Sequence, residues 1–122
     1  MSYLRPSHID VAKHAWAILK LLVTRLRTAW PGVKVVFRGD SGFCRWKMLR
    51  GCDRHEVDYL VGLAKNSRLR ALAAEGMQSA AAQFATTQQK QRHFAWIDYA
   101  AGTWDRERRV IAKAEHSAQG AN

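Results

Sequence analysis

The sequence predicts an α/β fold in the order α-β-α-β-α, followed by a β-hairpin. Three observations predict it. An apolar repeat at three- and four-residue spacing runs from Ala12 to Trp30. Two short apolar runs, Val33 to Arg38 and Val57 to Ala64, flank a stretch with helical patterning. Two β-prone segments bracket Ala101-Gly102-Thr103 near the end of the chain. Strand, helix and strand within about thirty residues make a βαβ unit, whose strands run parallel with a right-handed crossover.

Ser7 suits an N-cap, with Asp10 three residues on in the capping-box position. Beyond it Ala12, Ala15, Trp16, Leu19, Leu22, Val23, Leu26 and Trp30 line one face of a helix. Lys13, Lys20, Arg25 and Arg27 mostly fall elsewhere on the wheel. The spacing predicts about six turns ended by Pro31-Gly32, with the aromatic stripe in the core. Val33 to Arg38, broken only by Lys34, reads as the first strand, and Gly39-Asp40-Ser41-Gly42 as a tight loop. Phe43 to Arg54 reads as a second helix, with Trp46, Leu49 and Cys52 or Asp53 near one line. Its other side carries Arg45, Lys47, Arg50 and Arg54. Val57 to Ala64 is the second strand.

A third helix is expected from Arg68 to about Thr86, capped by Ser67 or Asn66, with Gly76 its weak point. Thr87 to Gln91 is polar and reads as a linker. Arg92 to Ala100 and Arg106 to Glu115 form the hairpin arms. Val110, Ala112 and Ala114 alternate with Arg109, Ile111, Lys113 and Glu115, an imperfect half-buried pattern. The tail Ser117 to Asn122 is small and polar. The first helix can cover one face of the two-stranded sheet, but parallel sheets are normally covered on both faces. The chain therefore reads as a piece of something larger.

A content of 48% hydrophobic residues in 122 is ordinary for one globular domain or part of one. The charge is less ordinary: 20 Lys+Arg against 10 Asp+Glu leave a net +10. Such an excess favours a polyanionic partner, above all nucleic acid, over a merely solvated basic surface. Met1 to Asp10 lacks the apolar core of a secretory signal. Ala15 to Val23 is too short to span a bilayer and is interrupted by Lys20. A cytoplasmic protein with no membrane partner is the simplest expectation. Cys44 and Cys52, read on one helix, would lie about 12 Å apart along its axis. That exceeds the roughly 7 Å Cα limit for a disulfide, so both should be thiols.

Asp40 is the one carboxylate of its loop, just beyond the carboxyl end of a strand, where open α/β sheets put their chemistry. Two readings stand: a turn residue bonding its own backbone, or a metal ligand with Gly39 and Gly42 letting a phosphate backbone come close. Cys44, Cys52 and His55 fit no zinc signature. Arg38, Arg45, Lys47, Arg50 and Arg54, then Lys65, Arg68 and Arg70, lie near strand ends or on adjoining elements. Such cations bind phosphates without reading sequence, or simply form a solvated face. Trp96 and Trp104 either pack the hairpin or stack on a base.

The segments FRGDSGF, CRWKMLR, VDYLVGLAKN and YAAGTWDRERRVIAKAEH follow one another in an order that identifies a family. The chain resembles bacterial DDE transposases of the insertion-sequence family numbered thirteen-eighty, from LRPS near its start to HSAQGAN at its end. The resemblance implies a partial RNase H-like core over residues 1–86 and part of a β-rich insertion over 87–122. Enzymes of this kind use three carboxylates to hold two divalent metal ions, Mg²⁺ or Mn²⁺. These activate water or a DNA 3′-hydroxyl for attack on a phosphodiester at the transposon end. Asp40 matches the family's second catalytic aspartate.

The first catalytic aspartate would lie before Met1, and the catalytic glutamate after Asn122. Glu115 falls inside the insertion pattern and is no substitute. The expectation is a transposase fragment that is inactive alone. Its partners would be transposon-end DNA, and an intact transposase or a second copy of itself. The alternatives are a non-catalytic basic DNA-binding remnant that interferes with an intact transposase, and an unfolded pseudogene product.

Overall fold

The computed structural model describes residues 12–122. The chain divides by packing into two units, Met1–Ala64 and Lys65–Asn122. The expected cap at Ser7 and its companion Asp10 lie outside the described residues.

In the first unit, helix α1 spans Ala15–Ala29. His14, in the left-handed conformation at φ 66°, precedes it, so the regular helix has about four turns rather than six. Its buried side chain is Val23, which clusters with Cys52 and Val57, while Trp16 and Leu19 pack against that cluster beside Val35, Phe37 and Tyr59. The expected apolar stripe is corrected beyond this point: Leu22 and Leu26 are exposed and Trp30 is 62% exposed. Length accounts for Leu26 and Trp30. Each strand under the helix has only four residues, spanning about 13 Å, whereas 15 helical residues span about 22 Å. The helix outruns the sheet it covers.

Strand β1, Val36–Gly39, pairs in parallel with β2, Asp58–Val61, from Val36 opposite Asp58 to Gly39 opposite Val61. Both are shorter than the apolar runs that announce them. Between them lie a 3₁₀ turn, Ser41–Phe43, and helix α2, Trp46–Arg54. Cys44 sits in the connection, so the two cysteines do not share a helix; both are thiols. Helix α2 buries Met48, Leu49, Gly51 and Cys52 and leaves Trp46 exposed, so its apolar face is rotated from the expected line.

Gly51 is buried against the indole of Trp16, where an added Cβ would overlap the ring. Arg27 donates to the carbonyls of His55 (2.7 Å) and Glu56 (2.9 Å) just past the end of α2. A cation there complements the negative end of the helix dipole. Burial, aided by the neighbouring Asp53, pushes the Cys52 thiol up to about 11, so at neutral pH it stays protonated and inert.

In the second unit, the expected single helix is two. Helix α3 spans Ser67–Leu72 and α4 spans Ala74–Thr87. Of the two proposed caps Asn66 is used, accepting from Leu69 N–H at 2.9 Å. The break falls at Ala73 and not at Gly76, which lies within α4 beside Ala114. Strands β3, Gln91–Tyr99, and β4, Arg108–Ser117, form the hairpin, antiparallel from Gln91 opposite His116 to Tyr99 opposite Arg108. The tail adds a two-residue strand β5, Gly120–Ala121, beside β4.

Helix α4 packs on β3 and β4, with Phe84 against the His116 ring at 4.9 Å. The half-buried alternation of β4 holds, with Arg109, Ile111 and Lys113 outward and Ala114 buried. On the outward face Glu115 receives Lys90 at 3.0 Å, Arg92 at 2.8 Å and Lys113 at 3.4 Å. Hydrogen bonds from Lys90 and then Arg92 draw its carboxyl down to about 2.

Three outcomes are expected. Gly51→Ala should destabilise the fold by about 1–2 kcal/mol in chemical denaturation, because overpacking against Trp16 outweighs the gain in helix propensity. Iodoacetamide should label Cys52 only after denaturation; rapid labelling under native conditions would contradict the buried core. The folded carboxyl of Glu115 titrates near 2 and the unfolded one near 4.5. Its stabilising effect is therefore complete above the unfolded value and lost as pH falls from there towards the folded one. Denaturant midpoints across that window should fall less steeply for Glu115→Gln than for the unaltered chain.

Candidate active-site loop and basic surface

Asp40 follows β1 directly and caps the 3₁₀ turn, its Oδ1 accepting the Gly42 N–H at 2.8 Å. This is the side-chain-to-backbone bond of an Asx turn. The residue is solvent-exposed. The loop is tight because three elements converge on it. Phe37 and Phe43 meet edge-on below it at 5.9 Å. A Cβ on Gly39 would crowd the Phe37 ring (3.1 Å) and the Phe43 Cβ (3.2 Å). Internal packing alone therefore calls for glycine at 39.

Gly62 completes the arrangement, and the sequence did not single it out. Its N–H donates to Gly39 C=O at 3.0 Å, and a Cβ there would lie 3.0 Å from the Ser41 backbone nitrogen. The end of the second strand thus lies directly against the Asp40 loop. A glycine just after an apolar strand was the available signal.

Asp58 is the other carboxylate on this sheet, but it begins β2 level with Val36. Asp40 lies four residues beyond Val36, about 13 Å along the strand. Asp53 is bonded to Tyr59 Oη at 3.2 Å. Among the described residues no group of three or more His, Cys, Asp or Glu side chains could hold a metal ion.

Of the basic residues, Arg38 is exposed on β1, in register with Leu60 on the uncovered face of the sheet. Arg45 immediately precedes α2 and is exposed, as is Lys47. Lys47 and Arg50 both approach the Trp46 ring, at 5.6 and 5.9 Å from its centroid. These four belong to the first unit and are grouped by the short segment around the Asp40 loop. Lys65 and Arg68 belong to the second unit. There Lys65 donates to Asn122 Oδ1 at 2.9 Å, and Arg68 to Ala100 C=O at 3.4 Å while lying over the Tyr99 ring.

The two hairpin tryptophans part company. Trp104 is half-buried, edge-on to Tyr99 at 5.7 Å. Trp96 is 68% exposed, its ring flanked by the Arg109 guanidinium at 5.1 Å. No described helix is long and apolar enough to cross a membrane.

No curated protein and no solved structure matches the chain. The family model for the transposase DDE domain, group 1, matches residues 1–122. A carboxylate loop at the end of a parallel strand, in a mixed α/β chain matched from end to end, has one reading: this chain belongs to the transposase DDE domain group 1 family.

Proposed function

We propose that this chain is a fragment of a transposase of the insertion-sequence family numbered thirteen-eighty, and that it does not cleave DNA alone. Residues 1–86 would descend from the RNase H-like core and 87–122 from its β insertion. The intact enzyme would cleave and transfer DNA strands at transposon ends, with Asp40 as one of its catalytic carboxylates.

The family generally uses divalent metal ions, which stabilise the attacking and leaving oxygens of phosphodiester exchange. Among the described residues the donor set does not fit such a pair of ions. Asp40 brings one carboxylate, already bonded to Gly42 N–H, and the nearest sheet carboxylate, Asp58, belongs to the far end of the parallel pair. One carboxylate with neutral neighbours is a weak magnesium ligand. That isolation of Asp40 carries the proposal of inactivity.

What the chain would retain is affinity for the DNA backbone. A net charge of +10 and the exposed cations Arg38, Arg45 and Lys47, with half-buried Arg50, support it. Lys65 and Arg68, bonded to Asn122 and Ala100, would add contacts from the second unit. A chain that binds ends without cutting them would compete with an intact transposase.

Two outcomes are expected. Purified chain with Mg²⁺ or Mn²⁺ should leave supercoiled plasmid carrying transposon-end DNA intact; nicking that is lost in Asp40→Ala would overturn the inactivity. Duplex binding should weaken steeply with salt. Replacing Arg45, Lys47 and Arg50 by alanine should reduce the log–log salt slope by up to about 2–3, near 0.9 per phosphate contact. Absence of measurable binding at low salt would refute the DNA reading.

A further inference from the structure

Strand β3 forms the outer edge of the second sheet, whose order is β3-β4-β5. The direction of its peptide groups follows from the opposite side of that sheet. Glu115 exchanges both backbone bonds with Asn122, at 2.8 and 2.7 Å, so its N–H and C=O point away from β3. Arg92, opposite Glu115 in register, is then one of the non-hydrogen-bonded positions of the β3–β4 pair. Its own N–H and C=O therefore point outward, past the edge of the sheet. Strand alternation gives the same direction to Phe94, Trp96 and Asp98. An unpaired edge of this kind is a template for another strand unless something blunts it.

The side chains of these same four residues share the outward face of the hairpin. Arg92 and Asp98 are exposed, and Phe94 and Trp96 are 63% and 68% exposed. Charges on an edge usually keep other strands away. Here they stand at mirrored positions about Ala95 and have opposite sign. The aromatic residues are mirrored about it as well.

We propose that this edge pairs with the same edge of a second copy of the chain, antiparallel about a twofold axis at Ala95. Arg92 then lies opposite Asp98 of the other copy, and Phe94 opposite Trp96, each pair formed twice by the symmetry. The outward N–H and C=O groups of all four residues meet partners, because both opposed pairs are of the hydrogen-bonded kind. Shifting the centre to Phe94 sets Arg92 against Trp96, and shifting it to Trp96 sets Asp98 against Phe94. A one-residue slip turns outward groups against inward ones. The register centred on Ala95 is the one that pairs all four outward residues within the strand Gln91–Tyr99, charge with charge and ring with ring. The occupant of the edge is therefore a copy of itself, which is what an isologous interface requires.

Sedimentation velocity of the full chain over a wide concentration range tests this. A concentration-dependent dimer is expected. Asp98→Lys, which sets two lysines against two Arg92 guanidinium groups, should raise its dissociation constant at least about tenfold. The circular dichroism spectrum of the variant should be unchanged, because Asp98 is exposed; Asp98→Asn, which removes the charge facing Arg109 across the hairpin without adding a lysine, should weaken the dimer less. Ala95→Cys should give a disulfide-linked dimer on mild oxidation that the unaltered chain, with its own two thiols, does not. Opposed non-hydrogen-bonded residues lie about 4.5 Å apart at Cα, within disulfide range. A monomer at every concentration, a dimer indifferent to Asp98→Lys, or no Ala95→Cys cross-link would overturn the proposal. So would a chain that stays monomeric while single-stranded DNA quenches Trp96, since the face would then belong to nucleic acid.

Discussion

The parallel ladder between β1 and β2 is closed by Asp58 N–H to Val35 C=O at one end and Gly62 N–H to Gly39 C=O at the other, both at 3.0 Å. Those two bonds span the whole pairing, and the rest of the first unit follows from them. Parallel strands need a crossover, and α2 supplies it. The crossover brings Cys52 and Val57 under α1, where Val23, Trp16 and Leu19 close the core. The upper bond holds Gly62 against the Asp40 loop, so the position of the carboxylate is a consequence of strand register and glycine contact. Because the ladder is only two strands wide, its other face stays open, with Val36 64% and Leu60 57% exposed. Parallel sheets are seldom left so.

The second unit is organised differently. Its strands are antiparallel and local, its helix α4 covers one face, and its stability leans on side-chain bonds at its margins. Asn66 caps α3 and also donates to Tyr99 Oη at 2.9 Å. Arg108 is buried, bonded to Asp105 at 2.9 Å and lying over the Trp104 ring. A buried charge needs such pairing to be tolerated. On the outward face Glu115 bridges three cations and offsets part of their mutual repulsion. The aromatic side chains beside that cluster stay uncovered, and they share the edge that the self-pairing uses.

Much of this was legible in the residues. Two apolar runs around a helical stretch announce a parallel pair, because no short turn can join strands in that orientation. Asp40 stands out as the one carboxylate after the first run. The alternation of β4 is plain from Val110 to Ala114. What was not legible depends on partners distant in sequence. Periodicity shows that Trp30 shares a face with Val23, but not that the strands below end first. The tail from Ser117 has no apolar alternation, and β5 forms through backbone bonds alone. The break at Ala73 has no local signal in an alanine-rich run. Lys65 and Arg68 read as available cations because their partners, Asn122, Ala100 and Tyr99, are supplied by later segments. Trp96 and Trp104 look alike in sequence, and only the fold separates a packed ring from a bare one.

Among the described residues, Asp40 stands at the strand end without the companion carboxylates that a metal pair needs. Titration of Mn²⁺ followed by electron paramagnetic resonance tests this without DNA and without turnover. Binding no tighter than about millimolar, unchanged in Asp40→Asn, is the predicted result. Micromolar binding that disappears in Asp40→Asn would contradict it.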